Sequence, residues 1–304
     1  MKRKKLKEPR LNERLSVGTR FGDIAYLEAG QGPPAVFVHG VFLNADLWRL
    51  QLEELADLRR CLALDLLAHG GSAPGEVGLT ISDQVDMTVD FLDALGLDSV
   101  DLVGNDSGGA IAQLIAARVP DRVRTLTLTN CDTHDNWPPA AFAPIVTLAR
   151  EGGLADTLRL LAADPGAARA ALATGFADPD ELADEVVTGF FGCFGRSDAH
   201  AGAVQSYVAG MDCGVTVAIR DDLARFRSPT LIVWGTGDEF FDVGWSRWLA
   251  ATIPGTVRRV EIEGAKLFFP MERAAEFNRE LRTLWSVPTT GPVPDGVRSW
   301  LIAD

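Results

Sequence analysis

Apolar residues occur in short unbroken runs along this chain. Residues 35–38, 61–64, 100–103, 123–128 and 230–234 contain almost no charged positions. A strand with one wet face alternates apolar and polar residues, so unbroken runs of this length predict strands covered on both faces, as in a parallel sheet. Residues 21–27 and 256–262 predict a first and a last strand. Between the runs the spacing becomes helical. Residues 47–58 offer Trp48, Leu50, Leu55 and Leu58 to one side, and residues 80–95 offer Ile81, Val85, Val89, Phe91 and Leu92. Residues 243–253 and 271–285 predict two more helices. Strand and helix in alternation imply an α/β fold with a mostly parallel central sheet flanked by helices.

The pattern changes after the strand at 123–128. Residues 133–223 contain no strand-like run and are rich in Ala, Leu and Asp, with helical candidates at 140–151, 155–163, 165–175, 179–191 and 197–208. They predict a helical lid inserted after the sixth strand. The core is then residues 18–132 and 224–286, preceded by a basic tail at 1–17 and followed by a Pro- and Gly-containing tail at 287–304. Aromatic residues of the insertion, among them Trp137, Phe142 and Tyr207, are candidates for a substrate pocket together with Phe268. Packing of the insertion onto the core is the competing reading for each of them. No internal repeat is visible.

Composition narrows the function. The 304 residues suffice for a large core, and 47% hydrophobic with 23% charged residues is ordinary for a soluble globular protein. A net charge of -13 argues against a nucleic-acid partner and favours a small, near-neutral or apolar substrate. The basic segment Lys2 to Lys7 precedes no apolar stretch, so it does not read as a secretory signal, and no run reaches the length of a membrane span. Cys61, Cys131, Cys193 and Cys213 have neither metal-ligand nor disulfide spacing. These features predict a cytoplasmic protein with no metal, no other cofactor and no membrane partner; a homodimer is left open.

The chemistry concentrates at Gly104-Asn105-Asp106-Ser107-Gly108-Gly109, between the strand at 100–103 and an Ala/Ile/Leu-rich helix that reaches Arg118. Strand, sharp turn and helix, with glycine two positions before and after the central residue, is the context of a nucleophile elbow. Centring on Ser107 would put Asn105 where the first glycine belongs, so Asp106 takes the apex. His39, Asp65, Asp106 and Asp132 all lie at or just after the carboxyl ends of predicted strands, where ligands of open α/β sheets bind.

With these motifs in order, residues 21–285 resemble the α/β-hydrolase superfamily, and within it the aspartate-nucleophile branch of haloalkane dehalogenases and epoxide hydrolases. The resemblance rests on His39-Gly40, on Asp65 through Ser72, on the elbow at Asp106, and on Trp234-Gly235-Thr236-Gly237-Asp238. It implies an α/β-hydrolase fold, Asp106 as nucleophile and Asp238 as triad acid. Backbone N–H groups of Val41 or Phe42 and of Ser107 would form the oxyanion hole, and His39 and His69 would organise turns.

The sequence departs from the family at the base. The loop before the last helix reads Gly264-Ala265-Lys266-Leu267-Phe268-Phe269-Pro270, with Lys266 where a histidine is expected, and no histidine follows His200. A carboxylate can attack without a base, but water must then be activated to release the ester. Lysine beside carboxylates keeps its proton and so acts as a cation or proton donor. Asp132 and His134 are the nearby substitutes. Ser107 also stands where dehalogenases of this type place a halide-holding tryptophan, and Tyr207 is the insertion's one tyrosine. Three readings follow: a hydrolase of a small apolar halide or epoxide acting through Asp106; a lyase, cyclase or isomerase with Asp106 as general base and Lys266 as cation or proton donor; and a ligand-binding protein with a degenerate site.

Overall fold

The computed structural model describes residues 13–74 and 78–286; the C-terminal tail and most of the basic N-terminal segment lie outside these. Eight strands form one sheet: β1 Leu15–Thr19, β2 Gly22–Ala29, β3 Pro34–Val38, β4 Arg60–Leu64, β5 Val100–Asp106, β6 Val123–Cys131, β7 Thr230–Gly235 and β8 Thr256–Ile262. Their order is β1-β2-β4-β3-β5-β6-β7-β8. The pairs β1–β2 and β2–β4 are antiparallel, and the remaining pairs are parallel. The expected strand at 21–27 is β2; β1 precedes it, unpredicted, and begins inside the stretch assigned from sequence to the tail. Its alternating, largely exposed residues gave no apolar run to detect.

The unbroken apolar runs do lie inside. Every residue of β5 and of β7 is buried. The sheet's far edge differs: in β8 Val257 and Ile262 are buried while residues 258–261 are exposed or partly exposed, and Arg258, Arg259 and Glu261 are charges that discourage edge-to-edge pairing.

On the core side α1 covers Arg49–Leu55, α2 Ile81–Ala94 and α3 Ser107–Arg118. Helix α2 starts with a reciprocal cap in which Thr80 and Asp83 satisfy each other's backbone N–H groups. The insertion between β6 and β7 holds α4 Ala143–Arg150, α5 Leu154–Ala163, α6 Pro165–Leu172, α7 Asp184–Arg196, α8 Asp198–Ala209, α9 Gly214–Ala218 and α10 Arg220–Leu223. The core resumes with α11 Gly244–Thr252, α12 Phe269–Glu272 and α13 Ala274–Ser286.

Chain order reverses at β3, which has β4 on one side and β5 on the other. The loops after β3 and β5 therefore leave the sheet side by side and open a crevice. Asp65, at the end of β4, holds the neighbouring loops in place. Fully buried, it accepts hydrogen bonds from Arg14 Nε at 2.7 Å, the Ala45 N–H at 2.8 Å and the Gly71 N–H at 2.8 Å. Removing this carboxylate leaves the Ala45 and Gly71 N–H groups without their acceptor and partly exposed Arg14 with Asp46 alone, so Asp65→Ala should lower unfolding stability in urea by on the order of 1–3 kcal/mol. A loss below about 1 kcal/mol would show that this network does not hold the loops.

Candidate functional site

Asp106 is the last residue of β5 and the residue before α3, and its backbone has φ 56° and ψ -134°. That conformation is uncommon for a residue with a side chain, and it turns the carboxyl out of the strand–helix junction. The junction closes only because its neighbours are glycines. A Cβ on Gly104 would lie 2.5 Å from the Gly108 carbonyl oxygen, and one on Gly40 would lie 2.0 Å from Asp106 Oδ2. Asp106 thus occupies the apex, and Ser107 begins the helix.

Backbone N–H groups of Val41 and Ser107 face the Asp106 carboxyl and favour its ionised form. The Val41 N–H also donates to Ser107 Oγ at 3.0 Å. Phe42, the alternative donor expected from sequence, does not serve: its N–H donates to His69 Nε2 at 3.2 Å. His69 Nδ1 donates to the Leu67 carbonyl at 2.8 Å. His39 is bonded in the same way, donating from Nδ1 to the Gly40 carbonyl at 2.7 Å and accepting the Leu66 N–H at Nε2. Burial holds these imidazoles neutral, His39 lowered to about 4 and His69 to about 3. With both ring nitrogens engaged, each histidine fixes a loop.

Two further carboxyls stand near Asp106. Asp132 follows β6, whose Cys131 is the ladder partner of Asp106. It is 2% exposed, and its Oδ1 has no hydrogen-bond partner among the described residues. Asp238 follows β7, accepting from Asn130 Nδ2 at 2.7 Å and from the Phe240 N–H at 2.8 Å. Burial, and then the Asp238 charge, raise the Asp106 pKa well above the carboxylate range. Burial, then Asp106 and Asp238, raise Asp132 in the same direction. Asp238, better bonded, is raised by burial to about 6. Buried like charges this close cannot all ionise near neutrality.

Lys266 does not join them. Its Nζ bonds Glu239 Oε1 at 3.2 Å, with the Glu239 side chain 57% exposed. The expectation of an ammonium group facing Asp106 is corrected by the way the loop is held. Asn105 Nδ2 bonds the Leu267 carbonyl at 3.0 Å, the Phe268 N–H bonds the Gly175 carbonyl at 2.9 Å, and the Gly237 N–H bonds the Ala265 carbonyl at 2.9 Å. Held on either side, the loop turns Leu267 and Phe268 to the interior and Lys266 to the rim.

Asp106 and Asp132 line one cavity of about 370 Å³, between the core loops and the insertion. Phe142, Phe191, Phe240, Phe241, Leu267 and Phe268 contribute apolar walls, and none of the lining residues is His, Lys or Arg. Of the expected pocket aromatics, Phe142 and Phe268 line it. Trp137 is buried and does not line it, and Tyr207 lies beside Asp132, Asp106 and Ser107. His134 stacks on Trp248 at 4.7 Å and does not line the cavity. The sequence reading missed Phe240 and Phe241, although an aromatic pair just after the Asp238 loop was a visible signal. No group of three or more His, Cys, Asp or Glu among the described residues is arranged to hold a metal ion. No described helix is long and apolar enough to cross a membrane.

Comparison with known proteins agrees with this architecture. The sequence profile of the alpha/beta hydrolase family matches residues 35–280. Over 271 residues the chain is 26% identical to the dihydrolipoyllysine-residue acetyltransferase component of an acetoin cleaving system from Cupriavidus necator, covering 85% of this chain and 65% of that protein. Over 101 residues it is 39% identical to a haloalkane dehalogenase from Mesorhizobium japonicum, covering 33% of each. The matches thus span from one third to just under two thirds of these relatives' lengths. A haloalkane dehalogenase structure from Bradyrhizobium elkani superposes with a TM-score of 0.76 at 20% identity, over 95% of this chain and 99% of that one, a likeness of fold. The sheet order, the bend at Asp106 and a profile match over most of the chain together make this protein a member of the alpha/beta hydrolase family.

Proposed function

We propose that the chain is a hydrolase of small, largely apolar electrophiles in which Asp106 attacks as a carboxylate and carries the substrate as an ester. The observation that carries this reading is the Asp106 carboxyl at the apex of the bend, facing the N–H groups of Val41 and Ser107 and lining an apolar cavity. An oxygen held by two backbone donors is also placed for charge stabilisation when water attacks the ester carbonyl. A cavity of about 370 Å³ suits a small substrate. Similarity to haloalkane dehalogenases over a third of the chain supports displacement at an alkyl carbon, although Ser107 cannot hold a halide as an indole N–H would.

The reading with Asp106 as base and Lys266 as its cation loses its main support, since Lys266 pairs with Glu239 at the rim. Lys266→Met should leave turnover within about threefold of wild type. A loss of the ~10²-fold size associated with a proton-transfer group would restore that reading.

A single turnover in ¹⁸O-water with excess enzyme should place ¹⁸O in the peptide containing Asp106, read by mass spectrometry. Label in the product alone would count against the ester. Stability gives a second test through the sign of the pKa shift. Asp106 ionises in the unfolded chain near the ordinary carboxylate value but stays protonated to higher pH when folded, so its contribution falls as pH rises from about 4 through the raised folded pKa. Asp106→Asn removes that penalty. Its stability relative to wild type should grow between pH 4 and pH 8, by on the order of 1–3 kcal/mol, measured by urea unfolding across pH. A difference independent of pH would contradict the raised pKa.

A further inference from the structure

We infer that Asp132 carries the proton for both halves of the reaction, donating it to the substrate in the first and recovering it from water in the second, and that the substrate is therefore an epoxide. The inference rests on Asp106 as the attacking group.

Asp132 lines the cavity with Asp106, is 2% exposed, and leaves Oδ1 without a partner among the described residues. An ionised carboxylate oxygen buried without a donor is expensive. A protonated one is a donor, and no described residue accepts from it. Because Asp132 lines the cavity, an acceptor on the ligand can take that proton. The titratable groups that face this pair are Asp238 from the loop after β7, Tyr207 from α8 and Cys131 from the end of β6. None supplies a positive charge. Burial and like charge both favour one shared proton on Asp106 and Asp132.

That proton decides between leaving groups. A halide departs as a stable anion and needs no proton. The oxygen of a three-membered ring becomes an alkoxide and does need one. In the first half, ionised Asp106 forms a C–O bond to a ring carbon, the ring C–O bond breaks with its electron pair passing to oxygen, and that oxygen takes the Asp132 proton. Asp106 is now a neutral ester, so the like-charge penalty on Asp132 falls as Asp132 becomes a carboxylate. In the second half Asp132 removes a proton from water while the water oxygen bonds to the Asp106 carbonyl carbon. The ester C–O bond then breaks, and the departing alkoxide takes the proton back from Asp132. Asp106 is left protonated and Asp132 ionised. Transfer of that proton from Asp106 to Asp132 restores the starting pair, for a net conversion of epoxide and water to a diol.

The test uses styrene oxide, 1,2-epoxyhexane and 1-bromobutane with the full chain. Wild type should form diols from both epoxides, with ¹⁸O entering the Asp106 peptide in a single turnover. Asp132→Asn should lower epoxide turnover by ~10²–10⁴-fold. The same variant should still be alkylated at Asp106 by 1-bromobutane, and the ester should persist, because bromide leaves without a proton and no base remains. Asp132→Glu keeps a carboxyl and should recover part of the rate with a shifted pH profile, which serves as the test should Asp132→Asn fail to fold by circular dichroism. Epoxide turnover by Asp132→Asn within threefold of wild type, with ¹⁸O still in the Asp106 peptide, overturns the role of Asp132 and leaves Asp106 standing. Hydrolysis of 1-bromobutane by wild type with no diol from either epoxide overturns the substrate class. Diol formation without label on Asp106 overturns the nucleophile itself.

Discussion

The site depends on one backbone conformation. Asp106 sits at φ 56° between a fully buried strand and a helix, a torsion that costs on the order of 1–3 kcal/mol and persists only where the surroundings over-determine it. Here they do. Gly104 and Gly108 admit the sharp turn, Gly40 lets the loop after β3 approach the carboxyl, and β5 is paired on both sides. The bend carries the carboxyl out of the sheet at the point where chain order reverses, so the loops after β3 and β6 meet it. Burial, the facing N–H groups of Val41 and Ser107, and the cavity all follow from that position.

Burial then sets the chemistry. The family resemblance leads one to expect a histidine among the carboxyls, able to accept a proton and to compensate charge. The described cavity lining supplies Leu267 and Phe268 from that loop, His39 and His69 have both ring nitrogens engaged, and His134 stacks on Trp248 outside the lining. Lys266 is compensated by Glu239 at the rim. Without a cation among them, the carboxyls act on one another. The same arrangement in water would be unremarkable, because screening would weaken the repulsion. Enclosed by aromatic and aliphatic walls, it raises the affinity of the group for protons.

Much of the fold could be read from the chain because its signals are local. Unbroken apolar runs marked the buried strands, helical spacing marked α2 and α13, and paired glycines marked the bend. β1 escaped because an exposed edge strand needs no apolar run. The site was legible in its parts and not in its pairings. Asp106, Asp132 and Asp238 announced themselves as acids after strands. Whether Lys266, Leu267 or Phe268 faced inward depended on a hydrogen bond donated by Asn105, 162 residues upstream of Leu267, and on one accepted by the carbonyl of Gly175, within the insertion. No pattern inside residues 264–270 encodes that choice. The same limit applied to Val41 and Phe42, adjacent donors told apart only by the reach of His69 from the loop after β4.

The insertion therefore does more than enclose a ligand. Phe142 and Phe191 come from it, Gly175 anchors the loop that carries Phe268, and Tyr207 stands beside Asp132. It supplies the low-dielectric side of the cavity, while the core supplies the carboxyls. An apolar occupant replaces water over Asp106 and Asp132, and desolvation favours the neutral form of a carboxyl. Occupancy and proton retention are thus linked through the same walls. A polar or anionic ligand would add its own desolvation cost and repulsion to carboxyls already short of compensation.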